Sequence, residues 1–139
     1  RNLTLRILPV LAMLTASAVP PVRAQSDVTL RASVPFEFVV GKTTLPAGQY
    51  VVKEIQPRAL LIQSLDGRGR AIVLTDAAQA GKTQQQQSKL IFNHYGSEYF
   101  LWQIWTTGAD IGRELPPTRG EREAARMAGH RETAAVFAQ

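Results

Sequence analysis

From Val28 to Thr106 apolar and polar side chains alternate in short runs, each followed within two residues by Gly, Pro or Asp. Period-two alternation broken by turn residues is the mark of short β-strands laid side by side in a sandwich or barrel. The runs are Val28 to Ser33, Phe36 to Val40, Gln49 to Ile55, Leu60 to Ser64, Ala71 to Thr75, Lys89 to Tyr95 and Glu98 to Thr106. Pro35 separates or kinks the first two, because it has no N–H to give a ladder. Leu45-Pro46-Ala47-Gly48 suits a tight turn and predicts a hairpin, as do Gln56-Pro57-Arg58 and Asp66-Gly67. The expected fold is a mainly β single domain, a β-sandwich or partly closed barrel of about six or seven strands with a C-terminal helix.

Asp76 to Ser88 is polar, contains four consecutive glutamines and shows no apolar period, so it reads as an exposed loop. After Thr107 the glycines and prolines through Pro117 predict an irregular connection. Thr118-Arg119-Gly120-Glu121 matches a capping box, in which a threonine hydroxyl accepts from a helix N–H and the glutamate reaches back to the cap. A helix from Arg119 to about Ala128 follows. Its apolar stripe of Ala124, Ala125, Met127 and Ala128 is thin, so it is expected to lie loosely on the sheet or project from it. Residues from Gly129 to Gln139 show no preference.

Residues 1 to 24 have a different character. Arg1 and Arg6 precede an apolar run from Ile7 to Val19, too short to span a bilayer, and Pro20-Pro21 and Val22-Arg23-Ala24 follow. This is the pattern of a cleavable secretory signal peptide, with the mature chain starting at Gln25. The predicted organisation is a leader (1–24), a β-domain (25–115) and a C-terminal helical segment with its tail (116–139). The expected location is secreted or periplasmic, with no stable membrane span after cleavage. The chain opens on Arg1 rather than Met, which suggests a truncated start.

Charge matters less than it first suggests. The formal net charge is +5, but Arg1, Arg6 and Arg23 leave with the leader, so 13 basic and 11 acidic residues remain. A near-neutral domain argues against nucleic acid as a partner, and Gly67-Arg68-Gly69-Arg70 reads as a solvated hairpin tip. The chain has no cysteine, which removes disulfides, thiol chemistry and a lipidated cleavage site.

The candidate chemistry is sparse. His94 and His130 are the only histidines and stand at no metal-ligand spacing, and Glu37, Glu54, Asp66, Asp76 and Glu98 sit singly in strands or turns. No nucleophile elbow or phosphate loop is present in the sequence, so the expectation is no enzyme, no cofactor and no metal. A two-residue turn at Gly96-Ser97 would put Leu90, Phe92, His94, Tyr99, Leu101, Gln103 and Trp105 on one face of a hairpin. Ile91, Asn93, Tyr95, Glu98, Phe100, Trp102 and Ile104 would take the other. Two apolar faces mean cover on both sides, from an opposing sheet on one and from the C-terminal segment or a second subunit on the other. The sharper alternative is a ligand or partner surface built from His94, Tyr99 and Trp105.

Val34-Pro35-Phe36-Glu37-Phe38-Val39-Val40-Gly41, Leu45-Pro46-Ala47-Gly48-Gln49-Tyr50, Ser88-Lys89-Leu90-Ile91-Phe92, Tyr95-Gly96, Tyr99-Phe100-Leu101 and Arg113-Glu114-Leu115-Pro116 together resemble a group of small exported proteins frequent in acidobacterial genomes. The resemblance implies an envelope or extracellular location and a β-fold, and carries no functional residues. The function expected is a non-catalytic structural or interaction module of the cell envelope or extracellular space. The alternative is a small carbohydrate- or lipid-binding protein using the aromatic hairpin. An envelope protein, a polysaccharide and a second copy of the chain are the partners this leaves open.

Overall fold

A computed structural model describes residues 29–79 and 86–139. The leader expected over residues 1–24, the mature start at Gln25 and residues 80–85 of the glutamine-rich segment lie outside the described residues. The described chain forms two sheets facing each other, with one helix on the outside and no closed barrel.

Sheet A contains β1 (Thr29–Val34), β4 (Gly48–Gln56), β5 (Ala59–Ser64) and β6 (Arg70–Leu74), in the order β1-β4-β5-β6. Sheet B is built on the long hairpin of β8 (Lys89–Tyr95) and β9 (Glu98–Trp105). On the β8 side it gains β11 (Glu132–Phe137), and on the β9 side β10 (Ile111–Glu114) and then β7 (Asp76–Gln79). The remaining flank of β9 takes β2 (Phe38–Val40) in a parallel bridge, and β3 (Thr43–Leu45) pairs back onto β2. All seven predicted runs are strands. Four more, β3, β7, β10 and β11, lie where turn, loop, irregular connection and featureless tail were expected.

The chain changes sheet at three corners, and each has a physical cause. Pro35 stops β1 because it cannot donate to a ladder, and β2 restarts in sheet B. The turn at Leu45 to Gly48 joins β3 in sheet B to β4 in sheet A, so it is an inter-sheet corner rather than the expected hairpin. There the buried Tyr50 hydroxyl donates to the Pro46 carbonyl four residues upstream, which makes a tyrosine corner and accounts for the Leu-Pro-Ala-Gly-x-Tyr spacing. The third corner is Thr75, fully buried between β6 and β7. Its N–H and hydroxyl both donate to the Arg58 carbonyl at 2.7 and 3.1 Å, and Arg58 Nε donates back to the Thr75 carbonyl at 3.1 Å. The opposite seam is fastened by the chain end: Arg31 and Gln139 exchange backbone hydrogen bonds at 2.8 and 2.9 Å.

Between the sheets lies the main core. Leu30, Val52, Leu60 and Ile62 of sheet A meet Leu90, Phe92, Leu101 and Ile104 of sheet B, and Phe38 and Tyr50 pack edge to face at 5.0 Å.

The helix α1 (Arg119–Ala128) begins where the capping box put it, with the Thr118 hydroxyl accepting from the Glu121 N–H at 3.2 Å. It ends at Gly129, whose positive φ of 77° lets its N–H reach the Ala125 carbonyl at 3.1 Å. The helix lies against the outer face of sheet B, where Ala124, Ala125 and Ala128 cover Tyr95, Phe100 and Val39. Met127, counted in the expected stripe, points away from the sheet and is exposed. The hairpin is therefore covered on both sides within one chain, by sheet A and by the C-terminal segment.

Candidate functional site

The turn at Gly96-Ser97 pairs Tyr95 with Glu98, and the expected register holds as far as Phe92 opposite Leu101. A β-bulge then intervenes: Ile91 pairs with Gln103, leaving Trp102 extra on β9. One additional residue reverses the facing of everything beyond it. Ile104 turns inward to pair with Leu90 in the core, and Gln103 and Trp105 turn outward.

The bulge separates the three candidate surface residues. His94 and Tyr99 stay on the inner side of the hairpin, near one end of the sandwich, and Trp105 goes to the outer side. Tyr99 is stacked between two rings, with His94 at 4.0 Å and 6° and Phe36 at 3.8 Å and 16°. Two nearly parallel rings so close to one tyrosine must lie on its opposite faces, so neither face is free to receive a ligand ring. Trp105 is only 4 % exposed. Its indole lies on Gly112 of β10, where an added Cβ would sit 2.8 Å from the ring, and its Nε1–H donates to Gln103 at 3.1 Å. Gly112 is thus a strand glycine that makes room for an aromatic ring.

Trp102 and Gln103, brought to one side by the bulge, both donate to Glu114, at 3.1 and 3.2 Å, and the Arg131 guanidinium lies 5.2 Å above the Trp102 ring. Under the helix, Asn93 Nδ2 donates to Glu121 at 2.9 Å with both residues buried, while Asn93 Oδ1 has no hydrogen-bond partner. Glu121 was expected to reach back to the cap, and it faces the sheet instead. Tyr95 lies in the same cluster. Burial first, and the neighbouring Glu121 charge second, hold its hydroxyl above the ordinary tyrosine range. Burial does the same for Tyr50, with Asp66 adding to it.

His94 and His130 approach the two oxygens of Glu132 at 3.5 and 3.6 Å. Among the described residues no group of three or more His, Asp or Glu is arranged to hold a metal ion. Glu54 is held by Arg113 at 2.9 Å, beside a cleft between the sheets of about 490 Å³ lined by Leu30, Val52, Leu60, Ile104 and Ile111. Neither Tyr99 nor Trp105 lines this cleft.

Among the described residues a further uncovered surface is the outer face of sheet A. The registers place Arg31, Val51, Gln63 and Arg70 in one row across the four strands, and Lys53, Leu61 and Ile72 in the next. Ser33 and Gln49 stand in the row beyond Arg31, and Ala59 and Leu74 in the row beyond Leu61. Between the rows is a shallow depression of about 490 Å³ bordered by Arg31, Val51, Lys53, Leu61 and Leu65. Ile72 is 57 % and Leu74 70 % exposed. In these rows the face carries three cations, no carboxylate and no aromatic ring, and none of the three cations pairs with a carboxylate among the described residues. Sequence reading missed it because the outward residues of β6 look like ordinary strand aliphatics until the partner sheet is known to lie on the other side.

No family model, curated protein or solved structure matches this chain. The functional reading therefore rests on its own geometry.

Proposed function

We propose that this chain is an exported, non-catalytic interaction module of the cell envelope or extracellular space that docks through the outer face of sheet A and needs no cofactor. The observation that carries the reading is the asymmetry of the two outer faces. Sheet B has apolar residues roofed by α1, while sheet A presents the exposed Ile72 and Leu74 beside the half-buried Val51 and Leu61, with no element among the described residues over them. Exposed aliphatics grouped on one strand face, rather than scattered, mark an interaction surface. The leader-like residues 1–24 and the resemblance to small exported acidobacterial proteins support the compartment. A photoreactive side chain placed at position 72 tests the reading, with one at Met127 on the outer side of α1 as control. In native envelopes, adducts from position 72 and not from position 127 are the expected result. Equal labelling, or none, would remove sheet A as the docking face.

A second reading, a small carbohydrate- or lipid-binding protein, draws support on the lipid side from the cleft beside Glu54 and Arg113, which is mostly apolar with one ion pair at its edge. Val52→Phe would fill that cleft. Under this reading the substitution abolishes the rise in melting temperature produced by a series of medium-chain amphiphiles; no rise in the parent protein ends it.

A further inference from the structure

We infer that the occupant of the outer face of sheet A is the surface of an anionic lipid bilayer; the inference rests on the docking reading above. Three properties of the face select this partner. The first is charge. Arg31, Lys53 and Arg70 stand among aliphatic residues with no carboxylate in those rows, so the complementary surface is negative, and a second copy applied face to face would oppose cation to cation.

The second is size. Four strands about 4.8 Å apart, each about six residues long at about 3.3 Å per residue, give a face of roughly 400 Å². A standard protein interface buries about 800 Å² of accessible surface on each partner, a measure that also counts side-chain relief, and a single four-stranded face of this extent is small for that role. A bilayer sets no such threshold, because it needs no matched second surface and follows the shape pressed into it.

The third is side-chain type. Ile72 and Leu74 stand proud of the strand edge at 57 % and 70 % exposure, and they gain only where an apolar phase lies beneath the anionic layer. An acidic polysaccharide offers no such phase, and its sugar rings are recognised by stacking on aromatic side chains, which these rows lack. Long cationic side chains that bend aside to headgroup level, with exposed aliphatics between them turned to the acyl layer, are the arrangement a peripheral lipid contact requires.

The test is flotation of the full chain with vesicles of phosphatidylcholine alone or of phosphatidylcholine mixed with the anionic lipid phosphatidylglycerol. The expected result is binding to the anionic vesicles, at least tenfold weaker on neutral ones, and falling as salt is raised because exposed charges are screened. The triple variant Arg31→Gln, Lys53→Gln, Arg70→Gln is expected to lose this binding, and Ile72→Ser with Leu74→Ser to weaken it at every salt concentration. Binding that survives the triple variant, as it would if the apolar N-terminal segment were responsible, overturns the inference. Failure to bind anionic vesicles, combined with position-72 adducts to protein or polysaccharide in native envelopes, overturns the lipid assignment and leaves the docking reading standing. Failure in both assays ends both.

Discussion

The two sheets solve the same problem in opposite ways. Each turns one apolar face to the shared core, yet the outer face of sheet B is roofed by α1 and the outer face of sheet A carries no element among the described residues. Sheet B places aromatics on its outer side, Tyr95, Phe100, Trp102 and Trp105, and covers or pairs each of them with an alanine, Glu114, Arg131, Gln103 or Gly112. Sheet A places aliphatics there and intersperses arginine and lysine. A long cationic side chain keeps an exposed strand face soluble and blocks unwanted edge pairing, which a buried aromatic cannot do. The difference separates apolar surface that the fold itself covers from apolar surface left exposed among the described residues.

Substitutions that strip the roof side should cost most. Phe100→Ala removes a buried ring between α1 and β9 and is expected to cost about 3 to 5 kcal/mol, read as a lower urea midpoint by tryptophan fluorescence. Little change would mean that the helix is not a fixed part of the fold. Asn93→Ala takes the amide donor from buried Glu121, and a hydrogen bond to a charged group is worth about 1.5 to 3 kcal/mol. Its loss should be much smaller in Asn93→Ala combined with Glu121→Ala than the sum of the single variants, a coupling that a double-mutant cycle measures. Thr118→Ala deletes the helix cap and should cost about 1 kcal/mol, with faster amide exchange confined at first to α1.

How far this contrast was legible in the sequence depends on what each residue's role is relative to. Period-two alternation reveals strands wherever one face is buried, and it found the seven long runs. It did not find β7, where Asp76-Ala77-Ala78-Gln79 lacks bulky side chains, or β11, where Val136 and Phe137 come only at the end of an alanine-rich run. Those strands are held by ladders to β10 and β8, an effect of tertiary context rather than local preference. The glycines that made residues 108–117 look irregular include Gly112, which is in a strand because Trp105 needs its space. The bulge at Trp102 was the costliest omission, since one extra residue moved Trp105 to the opposite face from Tyr99 and dispersed the candidate site. Nothing in the string Leu101-Trp102-Gln103-Ile104 announces that residue; the shared acceptor Glu114 lies on a strand that was itself unforeseen.

The smallest expected effect on stability tests the other half of the comparison. Ile72→Ser with Leu74→Ser deletes two aliphatic side chains from β6, which by residue type alone would resemble core truncation. Both are more than half exposed, so folding removes little of their surface from water, and surface changes away from caps and buried networks usually stay within about 0.5 kcal/mol. The pair is therefore expected to leave the urea midpoint of the isolated protein almost unchanged. A loss above about 2 kcal/mol would show that these residues are covered in the free protein, and sheet A would then have a roof of its own. An unchanged midpoint means that two exposed aliphatics on a strand edge contribute almost nothing to the stability of the fold, which is the condition the docking proposal requires of them.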